Sequence, residues 1–491
     1  MSGKTDRPAA LGEPFNDQGN PRNGCPAPAF TFTVNGRLVE VRDVSPNENL
    51  LNFLRRSGLT GSKEGCGEGD CGACSVLLLD RDAAGRPAWR SVNSCLALLP
   101  AMAGREIRTV EGLSENGRLH PVQEAMVKHY GSQCGYCTPG FVASLYEGYH
   151  RDDLDSPARI ADQLCGNLCR CTGYRSIRDA ACELFLGKNR CPPAPASATA
   201  EPNPLPPLAY AAGSGRFFRP TSLTELFDLL DTHPEGRLVA GATEIGVAIN
   251  KLFREFPVLI STEAVPELLR IEATPDTWRI GAAVPLTRIE DTLRGEFAAL
   301  DQMLPLFASR QIRHRATLGG NLATASPIGD SAPVLMALDA VIVLASRQGE
   351  RSLPLHEFFP DYRKTVLQPG EIILRVEIPR RKDSQSAFYK VSKRREMDIS
   401  IVSGAFRIVC QDGLVTEARI VFGGVAATTR RVFAAEKMVL GRRLEDSLTD
   451  VCALLEREFR PLTDARGSAA YRAALVPSLW EKFVRGEPGA A

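Results

Sequence analysis

Cysteine is the residue type in this chain with the clearest capacity for chemistry. There are fourteen. Eleven lie between Cys66 and Cys191, and only Cys410 and Cys452 fall in the last three hundred residues. Disulfide staples of a secreted scaffold spread along their chain. Clustering without a secretion signal points instead to thiolates gathered as metal ligands in a reducing cytoplasm. The first quartet, Cys66-x4-Cys71-x2-Cys74 with Cys95, has the plant-type [2Fe–2S] spacing. Gly65, Gly67, Gly69 and Gly72 surround it. At positive φ they would curl the loop so that amide N–H groups face the cluster sulfurs. A four-cysteine zinc site usually pairs two separated Cys-x2-Cys turns, and this loop is not built that way. The same glycines spell Gly67-x-Gly69-x-x-Gly72, the dinucleotide-binding pattern. It contains Cys71 and leads into the strand-like CSVLLLD rather than a helix, so that reading fails.

The second quartet is Cys134-x2-Cys137 with Cys169-x-Cys171. Each pair precedes a predicted helix, so two positive helix ends would face one anionic cluster. The spacing alone leaves zinc open here. The pseudo-symmetry and the first quartet next door favour a second [2Fe–2S] centre. Cys165, late in a predicted helix, reads as a packing residue. Cys25, Cys182, Cys191, Cys410 and Cys452 read as buried or incidental thiols.

The elements around these residues predict an α+β multidomain protein. Residues 1–29 lack a signal-peptide core and read as a disordered tail. Residues 30–105 form a small α+β domain: FTFTVNGRLVEV is a hairpin turning at Asn35-Gly36, followed by a helix near Asn49–Arg56 and the strand CSVLLLD. In residues 106–188, Pro121, Pro139 and Pro157 stand at first helical positions, with Thr138 and Ser156 as N-caps. A fourth helix starts near Tyr174 and ends at Gly187, completing a four-helix bundle. Residues 189–215 are rich in Pro and Ala and read as a linker. Residues 216–383 mix strands and helices around glycine loops at Gly241 and Gly319-Gly320, and 384–491 form a last α+β domain. The net charge of +1 gives no reason to expect nucleic acid or an anionic membrane as a partner. No apolar run would span a bilayer.

EGCGEGDCGACSV, QCGYCTPG and CGNLCRCTGY resemble the iron–sulfur segments of the molybdenum hydroxylases, the xanthine dehydrogenase and aldehyde oxidase family. The likeness continues through LVAGATEIG, TLGGNLATASPIGDSAP, FFPDYRKT, FYKVSKRREMDIS and FGGVAATTRR. The order of segments resembles the small subunit of the two-subunit bacterial members of that family. The resemblance implies a β-grasp ferredoxin-like domain, a helical [2Fe–2S] domain, an FAD domain of the vanillyl-alcohol-oxidase type and a CO-dehydrogenase-flavoprotein-like C-terminal domain. It implies that Leu238, Val239, Ala240, Gly241, Ala242, Thr243, Glu244 and Ile245 wrap FAD together with Thr317, Leu318, Gly319, Gly320 and Asn321. Phe307, Asp330, Ile373 and Lys390 would complete that site. The residues suit the role: the glycines would let amides approach a pyrophosphate, and Asp330 could accept from a ribose hydroxyl or a flavin edge.

Gln133 matches a position that contacts the pterin of a molybdopterin-binding large subunit. The resemblance further implies that subunit as partner, in a dimer of heterodimers, and NAD⁺ as acceptor of electrons drawn from hypoxanthine or xanthine. An aldehyde or another N-heterocycle is the rival substrate, and a redox sensor or scaffold the rival class. Lys393-Arg394-Arg395-Glu396 reads as a solvated loop, or as a group near the flavin that holds NAD phosphates or tunes its potential. Tyr362 reads as a flavin neighbour or a packed core residue. His120, His314 and His356 have no ligand spacing and read as capping or structural residues.

Overall fold

Alternating apolar residues and a tight turn make the first hairpin. Ala29–Val34 pairs antiparallel with Arg37–Arg42, and Asn35 and Gly36 both take positive φ at the turn. The computed structural model describes residues 29–187, 204–381 and 384–487. The expected tail therefore lies outside the described residues, apart from Ala29, which opens the first strand.

Helix Leu50–Arg56 follows, with the Asn49 side chain capping the Asn52 N–H at 2.8 Å. Ser75–Arg81 and Pro87–Asn93 form a second hairpin. Glu106–Arg108 then enters between the two hairpins, parallel to Ala29–Val34 and antiparallel to Ser75–Arg81. This mixed five-stranded sheet with its helix is the β-grasp arrangement. The expected boundary at residue 105 is thereby corrected, since it would cut off the strand that joins the sheet. Three residues are too few to show an alternation in sequence.

Four helices, Pro121–Lys128, Thr138–Tyr149, Pro157–Leu164 and Arg175–Leu186, pack around Val122, Phe141, Leu145, Ile160, Ile177 and Phe185. His120 caps the first: its Nδ1 accepts from the Val122 N–H at 3.3 Å, and Gln123 reaches back to its backbone. Ser156 caps the third as expected. Thr138 does not cap the second. Cys137 holds that position and Thr138 is the first helical residue, with its hydroxyl on Ser132.

Most of the expected linker lies outside the described residues, and its C-terminal part is a strand. Leu208–Ala212 pairs with Gly215–Arg219 at one side of a four-stranded sheet completed by Val258–Ser261 and Arg237–Val239. Its Pro/Ala composition hides this because its apolar face is satisfied by the first domain. Tyr210 is fully buried, packs edge-on against Phe30 at 4.9 Å and donates to the Val44 carbonyl at 2.7 Å. Phe30, Phe32, Phe217, Val239 and Leu259 share that one core.

A second, five-stranded sheet follows in the order Ile271–Ala273, Thr277–Gly281, Ile372–Pro379, Val341–Ser346 and Gly349–Pro354. The last domain is a sheet of Ser384–Val391, Val402–Gln411, Leu414–Gly423 and Arg430–Arg431, against which Phe433–Val439 and Ala469–Val484 pack. Among the described residues no helix is long and apolar enough to cross a membrane.

Candidate iron–sulfur and flavin site

The first quartet sits on a loop turned by Gly67, Gly69 and Gly72, at φ of +69°, +86° and +66°. The N–H groups of Glu68, Asp70 and Cys71 donate to Cys66 Sγ at 3.4, 3.2 and 3.3 Å, and that of Gly69 donates to Cys95 Sγ. Gly65 was expected to serve the same curl, but it is not at positive φ. A side chain there would lie 2.6 Å from Cys71 Sγ, so space is what it provides. The Cys66 thiol is pushed down to about 4, first by its hydrogen bond with Cys71 and then, against burial, by these backbone N–H groups.

The sulfurs meet in pairs. Cys66 touches Cys71, and Cys74 lies 3.3 Å from Cys95. In the second quartet Cys134 pairs with Cys171, and Cys137 with Cys169. Two terminal thiolates per iron is the donor set of a two-iron cluster. The donors present therefore fit [2Fe–2S] groups, including at the quartet whose spacing left zinc open. Cys137 caps helix Thr138–Tyr149. Cys171 precedes Gly173 and Tyr174, both at positive φ, before helix Arg175–Leu186. Cys134 and Cys171 are exposed, as is Gln133 beside them, whereas Cys74 and Cys95 are buried. Cys66, Cys71 and Cys137 are half-buried, and Cys169 is buried.

The two quartets are in contact. The N–H of Leu168, next to Cys169, donates to the Cys71 carbonyl at 3.0 Å. Asn167 donates to the Gly72 carbonyl at 3.3 Å. Gly140, one turn after Cys137, lies so close that a side chain there would be 2.1 Å from that same oxygen. Gly140, Asn167 and Leu168 were not singled out individually in the sequence. Their signal was present only as unexplained small and amide residues beside cysteines.

The expected FAD residues gather on both sides of one backbone contact. Gly241 packs on the Arg315 backbone so tightly that a Cβ would sit 1.6 Å from the Arg315 carbonyl oxygen, and Gly319 packs on Ala282 in the same way. Neither is at positive φ. Gly241 lets segment 238–245 approach the backbone just before segment 317–321, Gly319 lets the latter approach Ala282, and Thr324 donates to Glu244. Ala242 at φ +62° bends the chain between strand Arg237–Val239 and helix Ile245–Leu252, a turn that can gather N–H groups for an anion. Thr317 caps the short helix Leu318–Ala323 through the Gly320 N–H.

Asp330 does not stand open as an acceptor. It holds Lys390 at 2.8 Å and accepts from Ser400, and Lys390 also donates to the Leu306 carbonyl beside half-buried Phe307. Ile373 is a core residue of the second sheet, in one apolar cluster with Leu318 and Leu322, and the carbonyl of the next residue accepts from Ala282. A cavity of about 960 Å³ opens between the first domain and segments 263–272 and 283–288. Of the candidate FAD residues only Thr317 lines it.

Other expectations sort plainly. Tyr362 is 56% exposed and no core residue. Lys393 and Arg394 are tied to Ala465 and Met397 within the last domain, and Arg394 lies in electrostatic range of Asp70 on the first cysteine loop. Cys165 ends helix Pro157–Leu164, and burial pushes its thiol up to about 12. Cys25 and Cys191 lie outside the described residues.

Sequence reasoning missed the segment that locks the flavin side to the helical domain. Buried Arg310 reaches Glu147 at 2.9 Å, and His314 Nε2 reaches the same carboxylate at 2.7 Å. Gln311 donates to Ser144 and Asn167, and Arg313 meets Asp162 at 2.6 Å. A cation-rich stretch, RQIRHR, before a glycine loop was its only sequence signal.

Two cysteine quartets that suit dinuclear clusters, together with paired glycine loops beside a buried Lys–Asp pair, define a two-cluster iron–sulfur flavoprotein. Comparison with known proteins gives the family. Residues 32–99 match the 2Fe-2S iron-sulfur cluster binding domain and 109–182 the [2Fe-2S] binding domain. Residues 212–381 match the FAD binding domain in molybdopterin dehydrogenase, and 387–486 the CO dehydrogenase flavoprotein C-terminal domain. The chain is 35% identical over 93% of its length to xanthine dehydrogenase/oxidase of Rattus norvegicus and 33% identical over 92% to xanthine dehydrogenase of Emericella nidulans. It spans 39% and 38% of those relatives.

Among solved structures, a chain of quinoline 2-oxidoreductase from Pseudomonas putida 86 aligns with 55% of this chain and 96% of its own, at 26% identity and a TM-score of 0.51. A chain of carbon monoxide dehydrogenase from Hydrogenophaga pseudoflava aligns with 54% and 94%, at 25% and 0.52. The chain belongs to the molybdenum hydroxylase family, of which it carries the iron–sulfur and FAD-binding domains.

Proposed function

We propose that this chain is the electron-carrying subunit of a cytoplasmic xanthine dehydrogenase, working with a molybdopterin-binding large subunit in a dimer of heterodimers. Cys134, Cys137, Cys169 and Cys171 hold the cluster nearer that partner, and Gln133 contacts its pterin. Cys66, Cys71, Cys74 and Cys95 hold the cluster nearer the flavin. Segments 238–245 and 317–321, with Phe307, Asp330, Ile373 and Lys390, hold FAD. The observation that carries the reading is the hydrogen bond from the Leu168 N–H to the Cys71 carbonyl, which joins the segment of a quartet with two exposed cysteines to the loop of a quartet with two buried ones.

When bound, the clusters and FAD supply the one-electron steps between a two-electron donor and a hydride acceptor, here NAD⁺. The residues of this chain set the conditions. Loop amides stabilise negative charge on the sulfurs, and Asp330 fixes the Lys390 ammonium beside the flavin. No residue of this chain acts as acid, base or nucleophile toward a purine.

The test is purification together with the large subunit, followed by assays with xanthine, an aldehyde and quinoline, each with NAD⁺. Xanthine-dependent NADH formation that requires both chains is expected. Turnover by this chain alone, or turnover of the aldehyde or quinoline only, overturns the assignment.

A further inference from the structure

Asn250 lies on helix Ile245–Leu252, in the flavin-side domain, outside both cysteine quartets and the loop that precedes the helix. Its amide bridges the domains. Nδ2 donates to the Gly67 carbonyl at 2.8 Å and to the Cys95 carbonyl at 2.8 Å, and Oδ1 accepts from Asn49 at 3.1 Å. One amide thus uses both of its protons on the backbone of the first cysteine loop and its fourth cysteine. The helix approaches closely enough to do this because its second residue is Gly246, where a Cβ would lie 2.8 Å from the Leu96 carbonyl oxygen.

The Gly67 carbonyl belongs to the same rigid peptide plane as the Glu68 N–H. That N–H is one of the three donors to Cys66 Sγ. Gly67 sits at φ +69°, where a glycine can rotate the following peptide at little cost. Asn250 therefore holds the carbonyl on one side of the plane so that the N–H stays on the sulfur on the other. We infer that Asn250 is a positioning residue that sets the reduction potential of the first cluster from the flavin domain. It thereby couples the helix that begins at the FAD loop to the centre that would donate to FAD. This inference rests on the cluster assignment above.

Hydrogen bonds to cluster sulfurs favour the reduced, more negative state, so losing one lowers the potential. Asn250→Leu keeps the bulk and removes both donors. Asn250→Ala leaves room for a water that restores part of the donation. The measurement is a redox titration of the complex isolated with its partner, followed by electron paramagnetic resonance so that the two clusters are read separately. In Asn250→Leu the reduction equilibrium of the first cluster is expected to fall about tenfold, or about 59 mV for one electron. Asn250→Ala should fall between Leu and wild type, and the second cluster should stay unchanged as an internal control. If Leu fails to fold, Ala carries the test. Equal shifts in both clusters, or none in the first, overturn the inference while leaving the cluster assignment intact. A wild-type complex without two cluster signals would defeat the assignment itself.

Discussion

His314 gives the interface between the helical and flavin-side domains a pH dependence whose sign follows from its surroundings. The residue is 4% exposed, with Nε2 2.7 Å from Glu147. Burial, helped by Arg310 and Arg90, pulls its pKa from 6.5 down to about 4 despite the carboxylate beside it. Folded His314 is therefore neutral where an unfolded histidine is protonated, so between pH 6.5 and about 4 the unfolded chain binds the extra proton. Stability must fall as pH falls through that window. Each pKa unit corresponds to about 1.36 kcal/mol, so the full window is worth about 3 kcal/mol.

Glu147 acts in a lower window. Burial raises its pKa, but His314 and Arg310 outweigh that and hold it well below its usual 4.5. Its contribution is present above 4.5 and lost only as pH falls further. His314→Gln keeps an N–H for Glu147 and removes the titration. Chemical denaturation at pH 7.5, 6.0 and 5.0 should show the wild type losing more stability than the variant on acidification. Half-buried His150, also lowered to about 4, supplies a background slope common to both. Equal slopes in the two proteins would refute the reasoning.

Other substitutions separate the parts of the site. Cys71→Ser should abolish the first cluster's resonance and leave the second, and Cys169→Ser should do the reverse. Loss of both signals in either variant would contradict two independent quartets. Gly72→Ala places a side chain at φ +66° and 2.2 Å from the Gly166 carbonyl oxygen. The strained backbone alone costs about 1–2 kcal/mol, so a lower melting temperature and perturbed resonances of both clusters are expected; wild-type spectra would show that the loops need not touch there. Lys390→Met leaves Asp330 buried with Ser400 but without its cation, a defect of about 3–5 kcal/mol. The flavin-to-protein ratio should collapse while both clusters persist, and a full flavin complement would remove Lys390 from the site.

What the sequence disclosed was whatever a short segment fixes by itself. Cysteine spacing, the Asn35-Gly36 turn, the prolines at helix starts and the Ser156 cap all act within a few residues, and each is found in the fold. The joins were hidden because their partners lie far apart: Glu147 meets Arg310 across 163 positions and Asn250 meets Gly67 across 183. Strand Glu106–Arg108 was too short to show a period. Strand Leu208–Ala212 looked like a linker because its burial comes from another domain. Gly65 was expected at positive φ but instead makes room beside Cys71 Sγ, and Gly241 and Gly319 make close backbone approaches to Arg315 and Ala282 that no short segment reveals.

The two contacts that seat the flavin domain on the cluster domains use different physics. Against the ferredoxin-like domain Tyr210, Phe217 and Leu259 merge into the core of Phe30 and Phe32, an apolar contact joined by the polar ones of Arg219, Arg105 and Asn250. Such packing gives strength but tolerates small slides. Against the helical domain it is a buried polar lock of Arg310, Gln311, Arg313 and His314, which contributes little net stability yet is costly to misalign, because any shift strands a charge or an amide. That lock converges on Asn167, which accepts from Gln311 at 2.9 Å and donates to the Gly72 carbonyl. Three domains thus meet at one side-chain amide, one residue before the Leu168 N–H that joins the two quartets. The fold places its demand for register at the point where the separation of the clusters is set.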